Sequence, residues 1–140
     1  MRFMIIVRAT AASEAGLMPE PELLQEMADY HQQLAQAGVL LDGTGLQPSS
    51  QGWRVRYEGA QRRVVDGPFA ETRELIAGYT LIQVPSREAA LEWTRRCPSP
   101  FPGQDCEIEV RQLFELDDFA PGPAIEQFRA IDAGEGAGSR

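Results

Sequence analysis

Residues 64–74, VVDGPFAETRE, are the stretch that decides the fold of this chain. Two adjacent valines are typical of a strand, and the Gly-Pro dipeptide that follows Asp66 favours a tight turn. An aromatic residue comes next, and then two carboxylates three residues apart, Glu71 and Glu74. A strand that ends in a carboxylate and a turn indicates a functional loop held by a rigid scaffold.

Outward from this stretch, the spacing of apolar residues predicts the element order β-α-β-β-β-β-α-β. Apolar residues at intervals of three and four predict one helix from about residue 21 to residue 37 and another after Ser86. Residues 9–19 are predicted to be a loop, and the second strand is predicted to break at Gly43 and Gly45. The predicted strands lie at residues 3–7, 39–41, 53–58, 62–65, 78–84 and 107–114.

This order predicts an α+β fold of the ferredoxin-like βαβ-βαβ type, with an extra β-hairpin inserted between the two halves. Such a sheet carries both helices on one face, so a second copy of the chain is expected to cover the other face. Residues 1–119 are predicted to form one domain. Residues 120–140 are predicted to form a C-terminal extension, with a short helix after Pro123 and a disordered tail from Gly134.

Composition excludes several classes of function. The 140-residue chain has a formal net charge of −8, which opposes direct binding to nucleic acid. Its apolar runs are too short to cross a membrane. With one histidine and two cysteines nine residues apart, Cys97 and Cys106, a metal site is not expected, and neither is a cofactor. These features predict a cytoplasmic protein with reduced thiols.

Several blocks of sequence, in the same order, resemble the YCII-related family in the branch often called DGPF proteins. The blocks are residues 37–41, 45–50, 64–74, 76–79, 92–93 and 96–98. The resemblance implies the dimeric α+β barrel arrangement known for families of this type. It also implies an association with an extracytoplasmic-function sigma factor pathway, because relatives are often encoded beside such factors. Some related proteins have a His-Asp pair proposed as an active site.

The chain departs from the pattern of these relatives at two positions. Where they commonly carry a glutamate and a histidine, this sequence has Thr44 and Gln47. Both replacements are neutral side chains that can form hydrogen bonds but cannot shuttle a proton near neutral pH.

Asp66 and His31 are the candidate catalytic residues. Asp66 would act as a general base, and the only imidazole of the chain would complete a proton-transfer pair. Each has a structural alternative. Asp66 could accept hydrogen bonds from backbone N–H groups of the turn after Pro68. His31 could be a partly buried histidine whose hydrogen bonds are satisfied at the edge of the apolar helix face.

Five further residues are candidates for ligand binding: Phe69, Glu71, Glu74, Gln47 and Trp53. The structural alternatives are turn packing for Phe69, a solvated acidic turn for the two glutamates and a place in the sheet or dimer core for Trp53. The favoured hypothesis is a homodimer that binds a small molecule in a cleft near residue 66 and acts as a proton-transfer enzyme if it is catalytic. The alternative is a non-catalytic accessory or regulatory protein. The residues leave open whether the protein is an enzyme.

Overall fold

The structure is a computed structural model that describes residues 1–134. Within these residues, six strands and four α-helices follow one another, with single 3-10 turns at residues 49–51, 72–74 and 116–118. In chain order they are β1 (Arg2–Arg8), α1 (Ala11–Glu14), α2 (Pro21–Gln36), β2 (Leu40–Gly45), β3 (Trp53–Glu58), β4 (Gln61–Asp66), β5 (Ile76–Gln83), α3 (Arg87–Arg95), β6 (Ile108–Gln112) and α4 (Pro123–Asp132).

Four strands form an antiparallel sheet in the order β2-β5-β1-β6, while β3 and β4 form a separate two-stranded sheet. Each long helix connects an edge strand to a central strand, because α2 joins β1 to β2 and α3 joins β5 to β6. This arrangement is the ferredoxin-like α+β fold with an inserted hairpin, as the element order predicts. The dimeric barrel stays a prediction.

The core lies between the four-stranded sheet and helices α2 and α3. Phe3, Ile5 and Ile82 point from the sheet into this layer, where they pack with Tyr30 and Leu34 of α2. The Tyr30 hydroxyl donates a hydrogen bond of 2.8 Å to the backbone carbonyl of Trp93, and burial raises the pKa of the tyrosine. One buried hydroxyl therefore joins the two helices across the core.

The opposite face of the sheet, called the outer face below, is also largely apolar. The strand register places Met4 beside Leu81 and Ile6 beside Tyr79, at positions that alternate with the buried residues. All four side chains are half-buried. The sheet thus has one fully packed face and one face whose apolar side chains remain partly accessible.

Two predictions about local structure are wrong. Residues 9–19 are not all loop, because Thr10 caps a short helix whose Ser13 hydroxyl accepts the N–H of Thr10 in return. Strand β2 also continues through Gly43 and Gly45, with a register irregularity between Leu40 and Asp42. The physical reason is close packing: a Cβ atom on Gly43 would lie 3.1 Å from Nε2 of His31.

The C-terminal segment contains the helix expected after Pro123, now α4. Before it, Glu115 accepts two hydrogen bonds from the Arg2 guanidinium, at 3.0 and 3.1 Å, and these hydrogen bonds lower the pKa of Glu115. The expected disordered tail falls largely on residues 135–140, outside the described part of the chain.

Within residues 1–134, no helix is long and apolar enough to span a membrane.

Replacing Leu34 with alanine tests the core directly. Leu34 has no accessible surface, so L34A should lower the free energy of unfolding by about 2–5 kcal/mol in a urea titration. Leu24→Ala is the matched control on the same helix, because Leu24 is 54% exposed and should change stability by less than about 1 kcal/mol. Equal losses for the two variants would contradict the assignment of the buried face.

Candidate functional site

The loop that follows β4 is held against the segment that precedes β3. The N–H of Gly67 donates a 2.9 Å hydrogen bond to the carbonyl of Gly52, and the Gly67–Pro68 peptide bond is cis. A Cβ atom on Gly67 would lie only 1.8 Å from the Ser49 carbonyl oxygen. No side chain fits at this contact, so the sequence must have glycine here.

Ser49 connects this loop to helix α1. Its hydroxyl accepts the N–H of Phe69 at 3.0 Å and donates to the Glu14 carboxylate at 2.5 Å. The same carboxylate also accepts the backbone N–H of Ser49 at 3.0 Å. All of these groups are partly buried, where hydrogen bonds to a charged acceptor are stronger than in water. The Glu14–Ser49–Phe69 network therefore sets the position of the loop.

The Asp66 carboxylate takes no part in this network. Asp66 ends β4, as expected, but its side chain is exposed and forms no hydrogen bond or ion pair with any other residue in the range 1–134. The structural alternative was that Asp66 accepts a backbone N–H from the turn after Pro68. It is wrong for the N–H of Phe69, the residue that follows Pro68. Ser49 accepts that N–H instead. The carboxylate is thus available at the end of a well-anchored strand.

Trp53 lies directly opposite Asp66 in the register of the hairpin. Paired residues share a face of a two-stranded sheet, so the exposed indole and the carboxylate lie side by side. Phe69 belongs to the other face of the hairpin, where the Arg54 guanidinium stacks 3.7 Å from the centre of its ring. The structure therefore brings Asp66 and Trp53 together and gives Phe69 a packing role in the single chain. Trp53 is 66% exposed in the single chain, so its expected place in the sheet core is wrong, while the alternative in the dimer core stays a prediction.

His31 lies on α2, between the helix and the four-stranded sheet. Its Nδ1 donates to the Met27 carbonyl at 2.8 Å, and its Nε2 is 2.8 Å from the hydroxyl of the buried Thr80. Because a carbonyl can only accept, Nδ1 carries the proton, and in the neutral ring Nε2 accepts from Thr80. The structural interpretation of His31 is confirmed. Neither nitrogen hydrogen-bonds to Asp66, and the proposed pairing of the two residues stays a prediction.

The other predicted ligand-binding residues are on the surface. Gln47, Glu71 and Glu74 are exposed; Glu71 precedes a single 3-10 turn and Glu74 is its last residue. The Thr44 hydroxyl donates to the carbonyl of Gly45 at 3.3 Å. Gln47 lies two residues before Ser49 and is therefore near the loop, whereas the two glutamates follow the loop and form no ion pair within the described residues.

A second set of polar side chains lies on the outer face of the sheet. The Tyr79 hydroxyl donates to the Asp42 carboxylate at 3.2 Å, and the negative charge of Asp42 raises the pKa of Tyr79. Arg8 lies at the end of β1, with Glu107 and Glu109 at 3.8 and 4.0 Å. Its Nε is buried and has no hydrogen-bond acceptor among residues 1–134. Sequence reasoning did not identify these residues as a group, because they come from segments of the chain that are distant in sequence.

Cys97 offers no reactive thiol in this arrangement. Burial raises the pKa of the Cys97 thiol to about 11, so it is protonated near neutral pH and is a poor nucleophile. In the described part of the chain, no three residues of the types His, Cys, Asp and Glu come together as metal ligands would.

Comparison with known proteins identifies a family to which this chain is similar. The family model of the YCII-related domain matches residues 1–115, from the start of β1 through the ion pair between Arg2 and Glu115. The chain belongs to the YCII-related family. This YCII-related protein is also 29% identical over 94 residues to an uncharacterised protein of Rhizobium meliloti (strain 1021), and the match covers 67% of this chain and 75% of that protein. The DGPF branch stays a prediction.

Sequence reasoning missed the two residues that organise the loop of this YCII-related protein. Ser49 stood only in a block of resemblance, and Glu14 lay in a segment predicted to be loop. Their hydrogen bond spans 35 residues, so no local pattern reveals it. The one available signal was the capping residue Thr10, which indicates a helix start three residues before Ser13.

Removal of the Ser49 hydroxyl tests the network. Ser49→Ala leaves the Phe69 N–H without its acceptor and removes the hydroxyl donor to the Glu14 carboxylate, so it should lower the free energy of unfolding by about 1–3 kcal/mol. The neighbouring Ser50 is exposed, so Ser50→Ala is the matched control and should be nearly neutral. Chemical denaturation measures both. A Ser49→Ala variant as stable as the control would show that the network does not hold the loop.

The thiol of Cys97 gives a second test. At pH 8, iodoacetamide should modify Cys97 at least about tenfold more slowly in the folded protein than in urea, because the thiolate is the reacting species. Peptide mass spectrometry measures the modification at this residue. Equal rates in the folded and unfolded protein would contradict the burial of the thiol.

Proposed function

We propose that this YCII-related protein binds a small metabolite beside the Asp66 loop, with the Asp66 carboxylate as the hydrogen-bond acceptor. The observation that carries the proposal is the contrast between the loop and its carboxylate. The backbone around Gly67 and Phe69 is held by Gly52, Ser49 and Glu14, while the carboxylate itself has no partner within residues 1–134.

The neighbouring side chain indicates the chemistry of the ligand. Asp66 offers two acceptor oxygens, and the exposed Trp53 ring beside it offers a flat apolar surface. A ligand that suits both has a hydroxyl or N–H donor on a small cyclic body. An anchored acceptor next to an aromatic wall loses little entropy when such a ligand binds.

A second copy of the chain would provide the enclosure that this site lacks. Small-molecule sites are concave and cover most of the ligand, but Asp66 and Trp53 are both exposed in the single chain. The half-buried outer face, with Met4, Ile6 and Leu81, is an apolar surface suited to a homodimer contact. The proposed assembly is therefore a homodimer in which the ligand lies close to the interface between the two subunits.

The same geometry favours binding over catalysis by a His-Asp pair. Both nitrogens of His31 already have hydrogen-bond partners, and moving the ring would leave the buried Thr80 hydroxyl without one. Thr44 and Gln47 cannot transfer protons. A proton-transfer reaction at this site would therefore use the Asp66 carboxylate as its base.

A second candidate is a non-catalytic accessory or regulatory protein of a sigma factor pathway, the association that the family resemblance implies. The observation that favours it is the large number of exposed apolar side chains outside the proposed ligand site, including Phe114, Phe119 and Phe128. Such side chains mark surfaces that contact other proteins. Copurification of a sigma factor with the tagged protein would support this candidate over the first.

Asp66→Asn tests the ligand site. Ligand-observed NMR with a library of small cyclic alcohols, amines and carbonyl compounds should give compounds that bind the wild-type protein and bind the variant at least about tenfold more weakly, since a charged acceptor contributes about 1.5–3 kcal/mol. The melting temperature should change little, because the carboxylate has no partner among the residues that the structure describes.

Asp105→Asn is the matched control, since it makes the same chemical change at an exposed carboxylate in the loop before β6. It should retain full binding. Compounds that bind equally well to wild type and to Asp66→Asn would rule out the Asp66 site, and equal losses in both variants would indicate a general effect of charge.

A further inference from the structure

One face of the hairpin formed by β3 and β4 carries unlike charges at its two ends. The alternation of side chains and the pairing of the strands determine which residues share this face. They are Trp53 and Asp66, then Val55 and Val64, and then Tyr57 and Arg62, each pair directly opposed. All of these side chains are exposed, and the set is called the aromatic face below.

The two charges of the aromatic face do not neutralise each other. Asp66 and Arg62 lie four positions apart on β4, so their Cα atoms are about 13 Å apart at the ordinary rise of a strand. Neither forms an ion pair with a charged side chain among residues 1–134. On the opposite face of the hairpin, by contrast, Arg63 pairs with Glu58 at 3.0 Å. An acid and a base on one face are therefore both open to a ligand.

The Tyr57 ring supports the basic end of the aromatic face. The Arg62 guanidinium lies 5.2 Å from the centre of this ring, across the hairpin. A guanidinium that stacks on an aromatic ring keeps the N–H groups along its edge free, and these groups match the geometry of a carboxylate or phosphate. Stacking on Tyr57 therefore restricts the position of the cation without using its hydrogen-bond donors.

An apolar strip connects the two charged ends. Val55 and Val64 lie opposite each other in the middle of the aromatic face and are 40% and 64% exposed. The exposed rings of Trp53 and Tyr57 lie on either side of this pair along β3. Contiguous apolar side chains of this kind on a protein surface are typical of a binding surface. The strip suits a ring or a hydrocarbon chain that extends from one charge to the other.

We propose that the ligand of this face is an elongated zwitterion, with an amine at Asp66 and a carboxylate or phosphate at Arg62. The inference rests on the proposed function, because it keeps the hydrogen-bond donor of the ligand at Asp66 and adds a second contact at the other end of the hairpin. The apolar body of the ligand lies along Val55 and Val64. Charge complementarity supports this choice, since each end of the face carries the charge opposite to that of the ligand group it meets. On a chain whose net charge is −8, a ligand without net charge also avoids the general repulsion of anions.

The test compares para-(aminomethyl)phenyl hexanoic acid with its primary amide in ligand-observed NMR titrations of the full chain. The amide keeps the amine and the apolar body but lacks the anionic group. Arg62→Gln should lower the preference for the acid over the amide at least about threefold, since an ion pair in solvent contributes modestly. Arg56→Gln is the matched control, because it makes the same change of charge on the opposite face of the hairpin and should keep the full preference. The amide should bind both variants equally, which would show that the hairpin is still folded in Arg62→Gln.

A shorter pair of probes tests the length of the ligand. In para-(aminomethyl)benzoic acid the carboxylate is too close to the amine to reach Arg62 while the amine is bound at Asp66. Its preference over its own amide should therefore be the same in Arg62→Gln and Arg56→Gln. A preference that falls in Arg62→Gln for the short acid as much as for the long acid would overturn the elongated geometry.

Asp66→Asn separates this inference from the proposed function. It should weaken the long acid and its amide alike, because both present the same amine to the carboxylate. If Asp66→Asn binds both probes as the wild type does, the proposed function fails and this inference fails with it. If Asp66→Asn weakens both but Arg62→Gln and Arg56→Gln have the same preference for the acid, only the zwitterionic ligand is excluded. A wild-type protein that binds neither long probe would also overturn the inference.

Discussion

The contact between Gly67 and the Ser49 carbonyl is the constraint on which the rest of the candidate site depends. At this point two backbones approach more closely than any side chain allows. The approach places the Ser49 hydroxyl where it can accept the Phe69 N–H and donate to Glu14. The beginning of the chain, the segment before β3 and the loop after β4 are joined at one serine.

This junction explains how a hairpin outside the main sheet can still present a fixed carboxylate. Strands β3 and β4 pair only with each other, so the four-stranded sheet does not orient them. Their base is held instead by the Gly67–Gly52 hydrogen bond, the Ser49 network and the stacking of Arg54 on Phe69. Because serine and glutamate satisfy the backbone, Asp66 is not needed for that purpose.

The fold could be predicted from the sequence because its signals are local. Apolar runs, the capping residue Ser86 and the stops at Gly38 and Pro98 each indicate an element within a few residues. The site could be predicted only in part. Asp66 stands out beside a Gly-Pro turn, but whether its carboxylate is used by the protein depends on Ser49 and Glu14, which are distant in sequence.

The same reasoning explains the errors at β2. Gly43 and Gly45 suggest a break, because glycine weakens an isolated strand. In the folded protein His31 lies against Gly43, and the backbone of Gly45 passes close to Gly78, so the small residues allow the strand to continue. Tertiary packing determines whether the strand breaks or continues at these glycines, and a local sequence pattern does not contain that information.

The isolation of the hairpin also makes it a natural place for protein engineering. Its turn consists of two residues, Gly59 and Ala60, which are exposed and touch neither sheet partner nor core. Residues added in pairs at this tip would lengthen the ribbon while keeping each side chain on its original face, since strands alternate with a period of two. A fluorescent or affinity label attached there would report on the hairpin without changing the four-stranded sheet or its helices.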